Sequence, residues 1–208
     1  MSSREHWEAV YRDRDPESLT WYQEETTLSL SLIAASNVES DAAVVDVGGG
    51  SSRLVDHLLE RGYANVTVLD VSPTALGYAR NRLADREAGV TFVEADVLEY
   101  RFDSRIGFWH DRAVFHFLTA TADQTRYMER LNMSIAADGH VVIAAFGVDG
   151  PERCSGLPVQ RYSPETLNKA LGTSFEPVSF HDEAHITPTG ATQAFLYGHF
   201  RRVDGPPS

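Results

Sequence analysis

From residue 42 to residue 147, short runs of hydrophobic residues alternate with longer stretches in which hydrophobic residues recur every three or four positions. Short apolar runs predict buried strands, and stretches with apolar residues at helical spacing predict the helices between them. The predicted strands are 42–47, 65–71, 90–95, 106–111 and 140–146, and the predicted helices are 51–61, 72–83 and 121–136. Strands that alternate with helices indicate an α/β fold, a parallel sheet with helices on both faces.

The residues before the first strand are not needed by such a sheet. They contain a helix with Trp7 and Tyr11, the pair Trp21-Tyr22, and an amphipathic helix near 24–35. We interpret this segment as a helical cap, in which the aromatic residues, Trp21 among them, cover a bound ligand. Ordinary packing of these aromatics between helices is an equally open interpretation.

The pattern changes again after the fifth strand. A loop leads to a short helix opened by Ser163-Pro164, and β-rich stretches at 176–186 and 192–202 predict an antiparallel hairpin at the sheet edge. We therefore expect one domain over residues 1–203 with a flexible tail at 204–208. Its parts are the cap (1–40), a cofactor-binding core (41–147), and a substrate loop with the terminal hairpin (148–203).

Composition narrows the class of protein. A chain of 208 residues with 42% hydrophobic residues is large enough for one core. A net charge of −12 disfavours nucleic acid as a partner. The single cysteine, Cys154, excludes a disulfide framework and a multi-cysteine zinc site, and we expect no metal. Because the sequence has no signal-like or membrane-spanning apolar stretch, we expect a cytoplasmic protein without a membrane contact. The sequence leaves the oligomeric state open.

A glycine loop follows the first strand, where open α/β sheets bind cofactors. Gly48 and Gly50 match two positions of the dinucleotide fingerprint, but Arg53 occupies the third, which weakens a pyrophosphate interpretation. The acid before the loop, Asp46, would repel phosphate and accept from an ammonium group. S-adenosylmethionine carries an ammonium and no phosphate.

Two further acids follow the next two strands. Asp70, with Val71 beside it, is placed to accept from the hydroxyls of a ribose. Asp96-Val97 is placed to hold an adenine through a side-chain oxygen and a backbone N–H. Acids at strand ends also cap helices, and this alternative stays open for each residue taken alone. Together they predict an S-adenosylmethionine site.

With these residues in view, the chain resembles the class I S-adenosylmethionine-dependent methyltransferases over about residues 42–147. The resemblance implies a Rossmann-like, mostly parallel seven-stranded sheet whose last strand is antiparallel, and binding of S-adenosyl-L-methionine. Gly49 departs from many members, and we expect the extra backbone freedom to cost little. The segments that carry the resemblance are Val45-Asp46-Val47-Gly48-Gly49-Gly50-Ser51-Ser52, Val68-Leu69-Asp70-Val71-Ser72, Glu94-Ala95-Asp96-Val97 and Trp109-His110-Asp111-Arg112.

Two branches of the family are similar in different places. His6-Trp7-Glu8, Trp21-Tyr22, the glycine loop with Ser51-Ser52-x-Leu54, and Gly62-Tyr63 resemble the protein-lysine methyltransferases that act on elongation factor or citrate synthase. Asp111-Arg112 resembles an acid and basic pair of the thiopurine and thiol methyltransferases.

Candidate catalytic residues lie after the fourth strand. His110 and His116 are candidate bases, and His110 also lies where it would contact the cofactor. Asp111 is placed to orient either histidine or to contact the cofactor, and Arg112 to pair with an acid or to attract an anionic acceptor. A structural role is an equal alternative for each histidine. The expected function is methyl transfer to a small-molecule heteroatom, most plausibly a thiol. A protein-lysine methyltransferase and a non-catalytic S-adenosylmethionine-binding protein are the alternatives.

Overall fold

A computed structural model describes residues 2–203. The main sheet has seven strands: β1 (Val44–Val47), β2 (Val66–Asp70), β3 (Val90–Glu94), β4 (Ile106–Arg112), β5 (Ile135–Phe146), β8 (Phe175–Ile186) and β9 (Thr192–Arg202). A small hairpin, β6 (Arg153–Cys154) and β7 (Leu157–Pro158), lies between β5 and β8.

The order of the strands in the main sheet is β3-β2-β1-β4-β5-β9-β8. The first five strands run parallel, and β9 is antiparallel to both of its neighbours. This topology confirms the predicted Rossmann-like fold with an antiparallel last strand. The division of the chain into cap, core and hairpin stays a prediction, and the predicted tail, 204–208, lies outside the described residues.

Six α-helices cover the sheet: α1 (Ser3–Asp13), α2 (Thr27–Ala35), α3 (Leu54–Glu60), α4 (Pro73–Leu83), α5 (Thr121–Ser134) and α6 (Pro164–Leu171). The apolar faces of α5 and α6 pack on one face of the sheet, and those of α2, α3 and α4 pack on the other. Helices therefore shield both faces of the sheet from solvent, which explains why the central strands are continuous apolar runs. Among the described residues, no helix is long and apolar enough to cross a bilayer.

The predicted helix start at Ser72-Pro73 is correct. The Ser72 hydroxyl accepts from the Ala75 N–H at 3.1 Å, and Pro73 occupies the first helical position, where its missing N–H has no cost. This cap fixes the N-terminus of α4 beside the carboxyl end of β2. The first turn of α4 thus faces the same edge of the sheet as the glycine loop.

The start of β5 differs from the prediction. The predicted strand begins at residue 140, but β5 begins at Ile135 and includes Asp138 and Gly139. Ile106 pairs with Ile135, and the ladder resumes at the pair Phe108 and His140, so the extra residues form an irregularity in the strand. The positive φ of Asp138, 58°, accommodates this bulge.

Candidate functional site

The glycine loop leaves no room for side chains. Gly48 and Gly50 have positive φ values of 65° and 34°. A Cβ atom at position 50 would lie 2.7 Å from Asp70 Oδ2, and one at position 49 would lie 2.6 Å from Asp46 Oδ2. Gly49 is therefore required by space, a reason that the sequence did not reveal.

Asp46 presents an unpaired carboxylate oxygen below this loop. Its Oδ1 lies 2.7 Å from His110 Nδ1, while its Oδ2 is buried without a hydrogen-bond partner among the described residues. The second ring nitrogen of His110, Nε2, lies 2.9 Å from the hydroxyl of Ser29. These residues line a small chamber of about 40 Å³ that Trp21 and Gly48 also border. A buried lone oxygen of this kind requires a positively charged or hydrogen-bonding ligand.

Most of the other expected cofactor residues line a larger cavity of about 590 Å³ next to this chamber, whereas Gly50 lines neither space. Asp70 accepts the Ser72 N–H at 2.8 Å, and burial raises the pKa of its carboxyl to about 7. Asp96 accepts the Leu98 N–H at 2.9 Å through Oδ1, so it also supports the local turn. The residues of the predicted set on this cavity are Trp21, Gly48, Asp70, Val71, Asp96, Val97 and Arg112.

The N-terminal segment covers the cavity. Trp7 lies edge-on to Trp21 and to Phe117, with ring centroids 5.7 and 5.0 Å apart. Glu8 fixes the helix to the core, because its carboxylate accepts the Ser72 hydroxyl at 2.7 Å and also bonds to Thr74. One end of the cavity is thus walled by aromatic rings.

Arg112 connects this cover to the last strands. Its Nη1 donates to the Trp21 carbonyl at 2.8 Å, and its Nε donates to the Tyr197 hydroxyl at 2.9 Å. Its Nη2 forms an ion pair with Glu183 Oε2 at 3.6 Å and makes no hydrogen bond to any of residues 2–203. The guanidinium lies over the ring of Phe195, 4.4 Å from its centroid. Since the side chain is only 10% exposed and borders both the chamber and the cavity, Nη2 is available to an anionic group of a ligand.

Two of the candidate catalytic residues do not reach the cavity. Asp111 is fully buried, its Oδ2 accepting the Tyr127 hydroxyl at 2.6 Å and its Oδ1 the N–H groups at the start of the next turn. His116 Nδ1 accepts the Phe146 N–H at 3.3 Å, and burial together with the charge of Arg112 lowers the pKa of its ring to about 3. Neither residue lines the chamber or the cavity, so neither is placed to act on a bound acceptor.

Several residues that line these cavities carry no signal in the sequence. Ser29 comes from the cap, Phe117 from a short helical turn after β4, and Leu157 from the β6–β7 hairpin. No local motif marks them, since only the tertiary structure brings these segments together. Cys154 also borders the cavity, and burial raises the pKa of its thiol to about 11, so it stays protonated and a poor nucleophile.

The donor set fits S-adenosylmethionine. The unpaired Asp46 oxygen complements an ammonium, Asp70 has an oxygen free for ribose hydroxyls, and the glycine loop allows close approach of a ligand. Among residues 2–203, no group of three or more His, Cys, Asp or Glu side chains is arranged to hold a metal ion. The sheet order and this site have the features expected of a class I S-adenosylmethionine-dependent methyltransferase, the class that the chain resembles.

Comparison with known proteins agrees. Residues 44–139 match the family model described as "Methyltransferase domain". The "eEF1A lysine and N-terminal methyltransferase" of Danio rerio is 29% identical over 104 residues, 50% of this chain and 15% of the relative. The human "EEF1A lysine methyltransferase 2" is 23% identical over 162 residues, 70% of this chain and 68% of the relative. The chain thus spans less than a quarter of the first of these relatives.

Solved structures share the fold over nearly the whole chain. The Burkholderia thailandensis 1,6-didemethyltoxoflavin-N1-methyltransferase, solved with bound 1,6-didemethyltoxoflavin and S-adenosylhomocysteine, has a TM-score of 0.70, 24% identity, and coverage of 97% of this chain and 84% of its own. A structure described as "Conversion of a Disulfide Bond into a Thioacetal Group during Echinomycin Biosynthesis" has a TM-score of 0.77, 23% identity, and coverage of 96% and 92%.

Proposed function

We propose that this protein transfers a methyl group from S-adenosylmethionine to a heteroatom of a small molecule, with a thiol as the first choice. The single observation that carries this proposal is the covered cavity of about 590 Å³, with Trp7, Trp21 and Phe117 at one end. An acceptor that reaches this end beneath α1 must be small and must leave water behind. Positioning and exclusion of water are the main contributions that a protein makes to such a displacement.

In this proposal, the amino-acid end of the cofactor lies in the chamber. Asp46 Oδ2 accepts from the ammonium, and Arg112 Nη2 donates to the carboxylate. Asp70 accepts from the ribose hydroxyls, and Asp96 with Val97 holds the adenine. When bound, the cofactor supplies an electrophilic methyl group on its sulfonium.

The arrangement of possible bases favours a thiol. Asp111 and His116 face away from the cavity, and His110 is occupied by Asp46 and Ser29. An acceptor that ionises easily needs the least help, and a thiol loses its proton near pH 8.5, earlier than an amine or alcohol.

A protein-lysine methyltransferase is the second candidate, and one surface favours it. A groove of about 560 Å³ lies next to the chamber between the cap and the end of β8. Its acidic lining residues, which suit a basic peptide, are Glu17, Glu24, Glu25 and Glu183. The relatives named as eEF1A lysine methyltransferases agree with this candidate.

One labelling experiment separates these candidates. The purified protein is incubated with methyl-labelled S-adenosylmethionine and, separately, with the small-molecule and the protein fractions of one cell lysate. We expect label in the small-molecule fraction, and we expect prior alkylation of its thiols to abolish it. Label on protein lysines alone would overturn the small-acceptor proposal in favour of the second candidate. Binding of S-adenosylhomocysteine without label in either fraction would instead indicate a non-catalytic binding protein.

A further inference from the structure

The guanidinium of Arg82 joins the end of the glycine loop to a neighbouring helix. Arg82 lies in the last turn of α4, where its Nη1 donates to the Ser51 carbonyl at 3.0 Å and its Nη2 to the Ser52 carbonyl at 2.6 Å. Its Nε and Nη2 also donate to the Asp56 carboxylate of α3, at 3.0 and 2.7 Å. Asp56 is 2% exposed, so its carboxylate is shielded from solvent and requires such donors. One side chain of α4 thus holds both α3 and the loop.

The end of the loop has few other restraints. Neither the Ser51 nor the Ser52 carbonyl accepts a backbone N–H within the described part of the chain. At the start of the loop, the Gly48 N–H donates to a carbonyl of β2 at 2.7 Å, and the Ser52 N–H only closes the loop on itself at the Gly49 carbonyl. Glycine gives the backbone between these points more conformational freedom than any other residue. The bonds from Arg82 therefore fix the end of the loop.

This end of the loop borders the chamber and not the larger cavity. Gly49, Ser51 and Ser52 line the chamber, and none of the three lines the cavity. The chamber also contains the unpaired Oδ2 of Asp46. Because a Cβ on Gly49 would lie 2.6 Å from this oxygen, the loop backbone lies close enough that a small displacement changes the space left for a ligand.

We propose that Arg82 is a positioning residue for the cofactor site, because it holds the Ser51 and Ser52 peptide groups and thereby fixes the shape of the chamber. A guanidinium suits this task, since its planar fork of donors reaches two carbonyls and a carboxylate at once. Without it, both carbonyls lose their partner, and a ligand must restore the geometry of the loop when it binds. This inference rests on the proposed function, since it requires that the chamber holds the amino-acid end of the cofactor.

The neighbouring Arg86 provides a matched control. It lies in the short helical turn after α4, and its Nη2 donates to the same carboxylate, at 3.4 Å from Asp56 Oδ1. Its Nη1 lies 3.7 Å from Glu60, and its side chain is 54% exposed. Neither contact reaches the loop, so removal of the Arg86 guanidinium disturbs Asp56 and leaves the bonds from Arg82 to the loop in place.

The test measures two ligands by isothermal titration calorimetry in Arg82→Met and Arg86→Met. S-adenosylhomocysteine has the amino-acid end, whereas methylthioadenosine has the same ribose and adenine without it. The ratio of their dissociation constants therefore reports the chamber. We expect Arg82→Met to weaken S-adenosylhomocysteine about 5- to 50-fold relative to methylthioadenosine. We expect Arg86→Met to leave this ratio within about twofold of that of the unaltered protein.

Arg82→Lys keeps the test decisive if Arg82→Met does not fold. The substitution keeps a positive charge beside Asp56, but a single ammonium cannot reproduce the fork, so the ratio should still change, by less than in Arg82→Met. An Arg82 variant that is folded in thermal unfolding and keeps the unaltered ratio would overturn the inference, and so would an equal change of ratio in Arg86→Met. If the unaltered protein binds neither ligand, the proposed function itself fails, which distinguishes the two failures.

Discussion

Replacement of Asp46 by Asn tests the assignment of the chamber most sharply. The substitution keeps the size of the side chain and its bond to His110, which lies 2.7 Å away, but it removes the charge and places an amide beside the ligand. A hydrogen bond to a charged group contributes about 1.5–3 kcal/mol, and tenfold in affinity corresponds to about 1.4 kcal/mol. We therefore expect Asp46→Asn to weaken S-adenosylhomocysteine by about 10- to 150-fold.

Isothermal titration calorimetry with two ligands provides the assay. Methylthioadenosine lacks the amino-acid end, so its affinity for Asp46→Asn should equal its affinity for the unaltered protein. Thermal unfolding of the variant shows whether the fold is retained. Equal losses for both ligands would indicate general damage to the site, and no loss for either would refute the assignment of Asp46 to the ammonium.

Three other predictions follow from the same structure. Gly49→Ala should lower both the free energy of unfolding and the affinity for S-adenosylhomocysteine, because the new Cβ would lie 2.6 Å from Asp46 Oδ2. The control is Gly77→Ala in α4, where the space around the Cβ is open, and chemical denaturation should show a gain in stability of about 0.4–1 kcal/mol. Burial raises the pKa of Asp70 to about 7, so ligand affinity should rise from pH 6 to pH 8 as this carboxylate ionises, and Asp70→Asn should abolish the rise in calorimetric titrations. Burial lowers the pKa of His199 to about 4 in the folded protein, below the pKa of about 6.5 of an unfolded histidine. Between these two values the unfolded chain binds a proton that the folded protein does not, so the free energy of unfolding should rise by about 3 kcal/mol from pH 4 to pH 6.5. His199→Gln should remove this increment from the difference in unfolding free energy, and an unchanged pH dependence would contradict it.

The sequence predicted the sheet well because its signals are local. Apolar runs bounded by glycines and capping residues located the strands within a few residues, and Ser72-Pro73 marked the start of α4. The carboxyl ends of parallel strands lie at the same edge of a sheet, so the acids that follow them lie close together, and Asp70 and Asp96 line the same cavity.

The directions of the candidate catalytic side chains could not be predicted from the local sequence. Residues 110–116 are close in sequence, yet His110 faces the chamber while Asp111 and His116 face the protein interior. Neighbouring residues of a strand point to opposite faces of the sheet, which separates His110 from Asp111 on β4, whereas His116 lies beyond the strand in the short helical turn 115–117. The contact between Ser29 and His110 joins residues 81 positions apart and has no signature in the sequence.

A crystal structure of the protein with S-adenosylhomocysteine tests the central claim most directly. We expect the amino group of the ligand to lie against Asp46 Oδ2, its ribose on Asp70 and its adenine beside Asp96 and Val97. The sulfur should face the aromatic end of the cavity, where the acceptor would enter. A ligand bound outside the cavity, or bound with its adenine in the chamber below the glycine loop, would contradict the account.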